Sequence, residues 1–150
     1  MNAPVQFEAV DPAFAQRVRE SFGRQNAMAL IGARLTLVEA GRVEIGLAYR
    51  DDLTQQKGYI HGGIVGMIAD TACGYAAFSL MPADCSLVTV EYKINILNPA
   101  RRSLVARGEV LKPGRTLTIA KAEVFAEDGE HVAVMQQTLM MLAGRPDARE

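Results

Sequence analysis

From residue 62 to residue 81 the chain reads GGIVGMIADTACGYAAFSLM, twenty residues with only one charged side chain, Asp70. A helix of this composition has no wet face, so it is stable only inside a protein or inside a membrane. Asp70 near its centre would cost about 3 kcal/mol in hydrocarbon, and no cluster of Lys or Arg flanks the segment closely. The segment therefore predicts an enclosed helix. The remainder of the chain has to wrap it.

The flanking residues are suited to that task. After Met81-Pro82 ends the helix, strand-like runs occupy roughly 86–98, 102–112, 115–127 and 130–143, broken at Asn98-Pro99, Lys112-Pro113-Gly114 and Asp128-Gly129. In the first run Val90, Tyr92, Ile94 and Ile96 alternate with Thr89, Glu91, Lys93 and Asn95, as a half-buried strand requires. Before the helix, LIGARLTLVEAGRVEIGLAY reads as two strands joined by a turn at 39–42, followed by a polar connection over 50–57. Asp11-Pro12 opens a short first helix, with Asp11 as N-cap, and Phe14, Val18 and Phe22 recur at helical spacing up to Gly23. The expectation is an α+β domain spanning 1–150, its core at about 28–143 and a polar tail at 144–150, with about six antiparallel strands around one long helix. The final run, VAVMQQTLMM, is apolar on both faces near its end, which predicts sheet surface covered by a second subunit.

Several function classes are disfavoured at once. With 150 residues and a formal net charge of -1, no global field recruits nucleic acid. Cys73 and Cys85 are too few for a disulfide framework and form no CxxC pair, which suits a reducing, cytoplasmic setting. The N-terminal MNAPVQFEAV has no basic leader before an apolar stretch, so no signal peptide is expected. His61 and His131 lack metal-ligand spacing, and no GxSxG, P-loop or dinucleotide fingerprint occurs. Neither a metal nor a cofactor is expected. Cys73, inside the apolar helix, reads as a small hydrophobe rather than a nucleophile.

Chemistry concentrates in GYIHGGIVGMIAD, residues 58–70. His61-Gly62-Gly63 stands where a polar loop becomes the helix, and the first helical turn offers unpaired N–H groups and a partial positive charge to a developing oxyanion. A carboxylate among Ile68, Ala69, Thr71 and Ala72 is costly unless it is paired, hydrogen-bonded or lining a cavity, and such placement suits a nucleophile or general base. The bland reading is a hydrogen-bonded core acid. Gly62 and Asp70 lie eight helical steps apart, or about 12 Å, too far to act on one carbon within one chain. If both serve one reaction, the helix start of one subunit faces Asp70 of another, and a two-fold axis generates two such sites.

The pattern GxxHGGxxxxxxxD on an apolar helix, followed by TVEYKINILNPA, resembles the hotdog-fold acyl-CoA thioesterases of the phenylacetate-degradation type, in the 4-hydroxybenzoyl-CoA thioesterase superfamily, over about 30–142. The resemblance implies a curled antiparallel sheet around a central helix, a homodimer that assembles as a dimer of dimers, and an acyl-CoA substrate whose coenzyme A is not a cofactor. It implies that Asp70 attacks the thioester or activates water, and that the Gly62 N–H polarises the carbonyl. By the same resemblance His61 and Gly63 support the loop and substrate. Gln55 stands where the subgroup more often has Asn to hold the carbonyl oxygen, with Gln56 as the other amide in reach. Thr89, or Ser86, matches a water-orienting hydroxyl. Gly114 and Arg115 lie at a turn where relatives offer groups to the CoA phosphates, as do Lys112, Arg101 and Arg102. Tyr59, Tyr75 and Phe78 are candidates for an acyl pocket and are equally readable as packing. Two alternatives remain open: a hotdog dehydratase or hydratase with His61 as base, and a non-catalytic acyl-CoA-binding protein.

Overall fold

The computed structural model describes residue 3 and residues 5–148. Two short helices come first, α1 (Phe14–Gly23) and α2 (Asn26–Ile31), then strands β1 (Arg34–Glu39) and β2 (Arg42–Leu47). The long helix α3 (Gly62–Phe78) follows, and β3 (Ser86–Ile96), β4 (Leu104–Lys112), β5 (Leu117–Ala126) and β6 (His131–Leu142) complete the chain. The six strands form one antiparallel sheet in the order β1-β2-β4-β5-β6-β3, curled around α3. This is the architecture expected from the sequence.

The sheet can close on the helix because its inner face is floored with small residues. Ala106, Ala120, Ala122 and Ala133 are fully buried there, opposite Ala69, Ala72, Cys73 and Ala76 of α3, which are equally buried. At Gly108 the approach is closest: a Cβ on that residue would lie 2.4 Å from the carbonyl carbon and oxygen of Ala72. Only glycine fits between β4 and the helix backbone at that level.

The N-terminal helices close one end of the sheet. Arg17 of α1 donates to the carbonyl oxygens of Phe78 (3.3 Å) and Met81 (2.6 Å), satisfying acceptors at and just beyond the α3 C-terminus. Its guanidinium also lies over the Phe78 ring and pairs with Asp11 at 3.0 Å. Asp11 precedes the helix by more than expected: its carboxylate accepts from the Ala13 N–H, and Ala13 is the N-cap.

Two readings of the sequence need correction. The stretch read as strand from Leu30 begins as helix, because α2 buries Met28 and Ile31 and ends at Gly32, whose φ of 73° turns the chain before β1 starts at Arg34. At the end of β6, Met140, Met141 and Leu142 are half-buried, and the exposed apolar side chains Val88, Val90, Tyr92 and Ile96 lie on β3. Finally, β3 does not alternate throughout. A bulge between Thr89 and Glu91 leaves Val90 unpaired, so Thr89, opposite Leu139, shares the helix-facing side with Tyr92, opposite Gln137.

Replacing Gly108 with Val should push β4 off the helix backbone. The expected loss is about 3 kcal/mol, the upper part of the overpacking range, or a fall in Tm of about 6–12 °C for a chain of this size. Thermal denaturation followed by circular dichroism checks it; a Tm equal to that of the parent protein would contradict the close approach.

Candidate active site

Two half-sites stand out, one at each end of the N-terminal half of α3. The first begins with the loop before the helix, which is tied back on itself. Gln55 N–H donates to Tyr59 O (2.8 Å), Gly58 N–H to Gln55 O (2.9 Å), and His61 N–H to Leu53 O (2.9 Å), while Ile60 N–H reaches Ala100 O (2.8 Å). The Tyr49 hydroxyl adds a bond to Gly58 O at 3.1 Å. This folding keeps Gln55 beside the strand-like pairing that seats His61. Gln55 Oε1 accepts from the Lys57 N–H, and because a backbone N–H can only donate, the amide nitrogen is the end left free.

His61 is the N-cap of α3, and its Nδ1 accepts from the Gly63 N–H at 2.8 Å. A Cβ on Gly63 would sit 3.0 Å from that same Nδ1, so glycine there admits the ring. Gly62 is different. It is exposed, a Cβ on it would meet nothing within 4 Å, and its N–H makes no hydrogen bond among the described residues. Packing gives no reason for glycine at this position, whereas a ligand approaching the free N–H does.

The second half-site surrounds Asp70, two turns along α3. Its carboxylate Oδ1 accepts from the Thr89 hydroxyl at 2.9 Å and from the Gln137 amide nitrogen, which also donates to Thr89 Oγ1 at 3.1 Å. Oδ2 accepts nothing among the described residues. Asp70 and Thr89 open into a cavity of about 690 Å³ that continues past Gly74, Leu87, Tyr75 and Phe78. Its far end is polar: Tyr75 Oη lies 3.0 Å from both Ser21 Oγ and Gln25 Nε2, and Arg24 binds Asp147 through the carboxylate (2.8 Å) and the carbonyl (2.7 Å). Burial raises the Tyr75 phenol above its ordinary range.

Placement thus separates the expected residues into groups. Gln55, His61, Gly62 and Gly63 come together at the helix start. Asp70 and Thr89 meet each other farther along, with Tyr75 and Phe78 lining the adjoining cavity; Ser86 is not among the lining residues. Tyr59 lies outside that cavity, covered by the Arg101 guanidinium at 4.2 Å from its ring centroid, and Arg101 also donates to Lys57 O. At the β4–β5 turn Gly114 has a plain structural reason, since a Cβ would fall 2.0 Å from Leu117 O, and Arg115 stands exposed beside it. Arg102 is paired with Asp128 at 2.9 Å. Sequence reasoning missed Gln137, although a polar residue on the same strand face as Met135 and Leu139 was a signal. It also missed Ser21, Arg24, Gln25, Asn26 and Asp147, which surround the cavity from α1, α2 and the tail.

Cys73 is buried, and burial, reinforced by the nearby Asp70 charge, pushes its thiol well above the ordinary range. Among the described residues no three His, Cys, Asp or Glu side chains group as a metal site, and no helix is long and apolar enough to cross a membrane.

Known proteins are similar to this chain in sequence and fold. The family model described as the thioesterase superfamily matches residues 57–133, which include His61, Asp70 and Thr89. A thioesterase family protein of Silicibacter pomeroyi is 52% identical, with 87% of this chain and 99% of that one aligned at a TM-score of 0.85. The E. coli PaaI protein from the phenylacetic acid degradation operon is similar in fold, with a TM-score of 0.82 over 89% of this chain and 96% of that one at 18% identity. A curated protein of Saccharolobus solfataricus that carries an esterase name is 33% identical over 94 residues, 62% of this chain and 66% of that relative's own length.

A neutral, enclosed thiol does not alkylate. Native protein treated with iodoacetamide near pH 8 should leave Cys73 unmodified, and prior denaturation should expose it, as peptide mass spectrometry would report. Rapid labelling of Cys73 in the native state would reopen it as a nucleophile.

Proposed function

The chain belongs to the thioesterase superfamily, a family of thioester hydrolases, and from that premise we propose that it hydrolyses an acyl- or aryl-CoA thioester to the free acid and coenzyme A, at composite sites between two subunits. The observation that carries the reading is the Asp70 carboxylate, held through one oxygen by Thr89 and Gln137 at the head of a cavity, with no partner for its second oxygen among the described residues.

In the proposed reaction the thioester carbonyl oxygen lies against the Gly62 N–H and the Gln55 amide. Both are donors without partners among the described residues, and the helix N-terminus adds its partial positive charge. Asp70 then attacks the carbonyl carbon directly, or takes the proton of a water that attacks it. The Thr89 hydroxyl has its proton committed to Asp70, which leaves a lone pair to orient that water. Collapse of the oxyanion breaks the C–S bond and expels the CoA thiolate, a good leaving group; on the direct route water then hydrolyses the Asp70–acyl anhydride, which releases the acid and restores the carboxylate. The steps use side chains, backbone and water, so the proposal requires no redox cofactor.

Two features support the dimer. Unbroken helix joins Gly62 to Asp70, so the roughly 12 Å between them along the axis cannot be closed within one chain. β3 also forms an open sheet edge, on which Val90, Tyr92 and Ile96 are 54%, 47% and 46% exposed. An uncovered apolar edge of this kind is a natural partner for its own copy. Free, buried Cys73 and Cys85 fit a reducing cytoplasm. The dehydratase alternative asks His61 to be a mobile base, whereas its ring caps the helix. Retention of the Asp70–Thr89–Gln137 cluster speaks against a protein that only binds.

The composite site has a sharp test. Gly62 is the first helical residue, where proline is tolerated, and His61 at φ -59° and ψ 135° already has the conformation a following proline requires. Gly62→Pro should therefore keep the fold while deleting the donor, lowering kcat by about 100- to 1,000-fold. Asp70→Asn should lower it by about 100- to 10,000-fold. Co-refolding the two variants in equal amounts should restore about one quarter of wild-type acyl-CoA hydrolysis, because each mixed dimer then has one intact site. No recovery in the mixture, followed by thiol release, would contradict a site shared between subunits.

A further inference from the structure

We propose that Gln137 is the positioning residue that fixes Asp70 for reaction, acting through Asp70 and Thr89 without touching substrate; the inference rests on the thioester-hydrolase reading above. Gln137 is only 1% exposed and sits on the helix-facing side of β6 between Met135 and Leu139, which are buried with it. Its amide nitrogen donates to both Asp70 Oδ1 and Thr89 Oγ1, while its Oε1 is buried with no partner among the described residues.

That combination is hard to explain as structure alone. A buried carbonyl oxygen without a donor destabilises the fold, and an apolar side chain of the same length would avoid the loss. Whatever favours glutamine at this position must come from its donor half, which among the described residues reaches only Asp70 and Thr89. Geometry shows what the donor does. Thr89 and Gln137 both converge on Oδ1, so the carboxylate cannot rotate without breaking two bonds, and Oδ2 is the oxygen left for water or the thioester carbon. The anchor is also a firm one. Thr89 lies on the exposed edge strand β3, but β6 is hydrogen-bonded on both sides, to β5 and to β3. Gln137 thus ties the reacting carboxylate to the interior of the sheet, and its burial keeps it from the substrate.

Gln137→Met keeps the length of the side chain and removes both the donor and the orphaned acceptor; Gln137→Leu is a second variant with the same loss. Both would be measured against the parent for Tm and for steady-state hydrolysis of an acyl-CoA panel and the matching N-acetylcysteamine thioesters. The expected result is a fall in kcat of between about tenfold and a hundredfold, the scale on which misplacement of a reacting group acts. KM should be unchanged, and Tm unchanged or raised. Parent-like kcat in either variant overturns the role of Gln137, as does a fall in Tm in both that parallels the loss of activity. If the parent protein hydrolyses neither kind of thioester, the reading beneath the inference fails, which is a different outcome from an active parent with unaffected variants.

Discussion

A helix that is apolar on every side is stable in water only where sheet can close round it, and the radius of that closure is fixed by how near the two backbones can come. Here the limiting contact is Gly108 against the Ala72 carbonyl, with an alanine floor on β4, β5 and β6 extending the fit on either side. Larger inner-face residues would flatten the sheet and leave α3 partly wet. The tight curl has a second effect. It brings β3 and β6 round to the side of α3 that carries Asp70, so the acid meets Thr89 and Gln137. Without the close packing at Gly108 the partly buried carboxylate would lose both donors, which is costly for a charge even partly withdrawn from water.

The enclosure is left open on one side of the chain. The β1 edge lies next to α1, but β3 ends the sheet with no strand beyond it and with apolar side chains in water. The open edge and the open half-site occur on the same strand. Thr89 donates to Asp70, and within a few residues Tyr92 and Ile96 face the same side and remain half exposed. Tyr92 reaches toward Gly66, where its hydroxyl would be 3.9 Å from an added Cβ, and so follows the first turns of α3.

Much of this is legible in the sequence, because the signals are long and periodic. The apolar run from Gly62 fixes an enclosed helix, and the turn residues at 98–99, 113–114 and 128–129 divide the later chain into four strands observed within a few residues of expectation. What escaped were features set by tertiary contact. α2 is one and a half turns long, and its two core residues, Met28 and Ile31, are too few to show a period. The bulge at Val90 leaves no mark in the alternation of TVEYKINI, which reads more simply as one regular strand. Gln137 was visible only as a polar residue out of place, and its meaning depends on β6 lying beside β3, a neighbour relation that strand order alone supplies.

That bulge links local backbone geometry to chemistry. In an unbroken strand Thr89 and Tyr92, three residues apart, would face opposite sides of the sheet. The extra residue resets the register, so the hydroxyl that meets Asp70 and the aromatic ring of the exposed edge lie on one face. Val90, the residue displaced, is left at the edge and is the most exposed large apolar side chain of β3. A single inserted residue therefore does two things: it aims a donor at the carboxylate and turns an apolar group outward toward whatever covers the edge. Under the composite-site reading these are two aspects of one requirement, because the subunit that covers β3 is also the one that presents Gly62 to Asp70. Association and chemistry would then depend on the same strand, and a change that straightens it would weaken both.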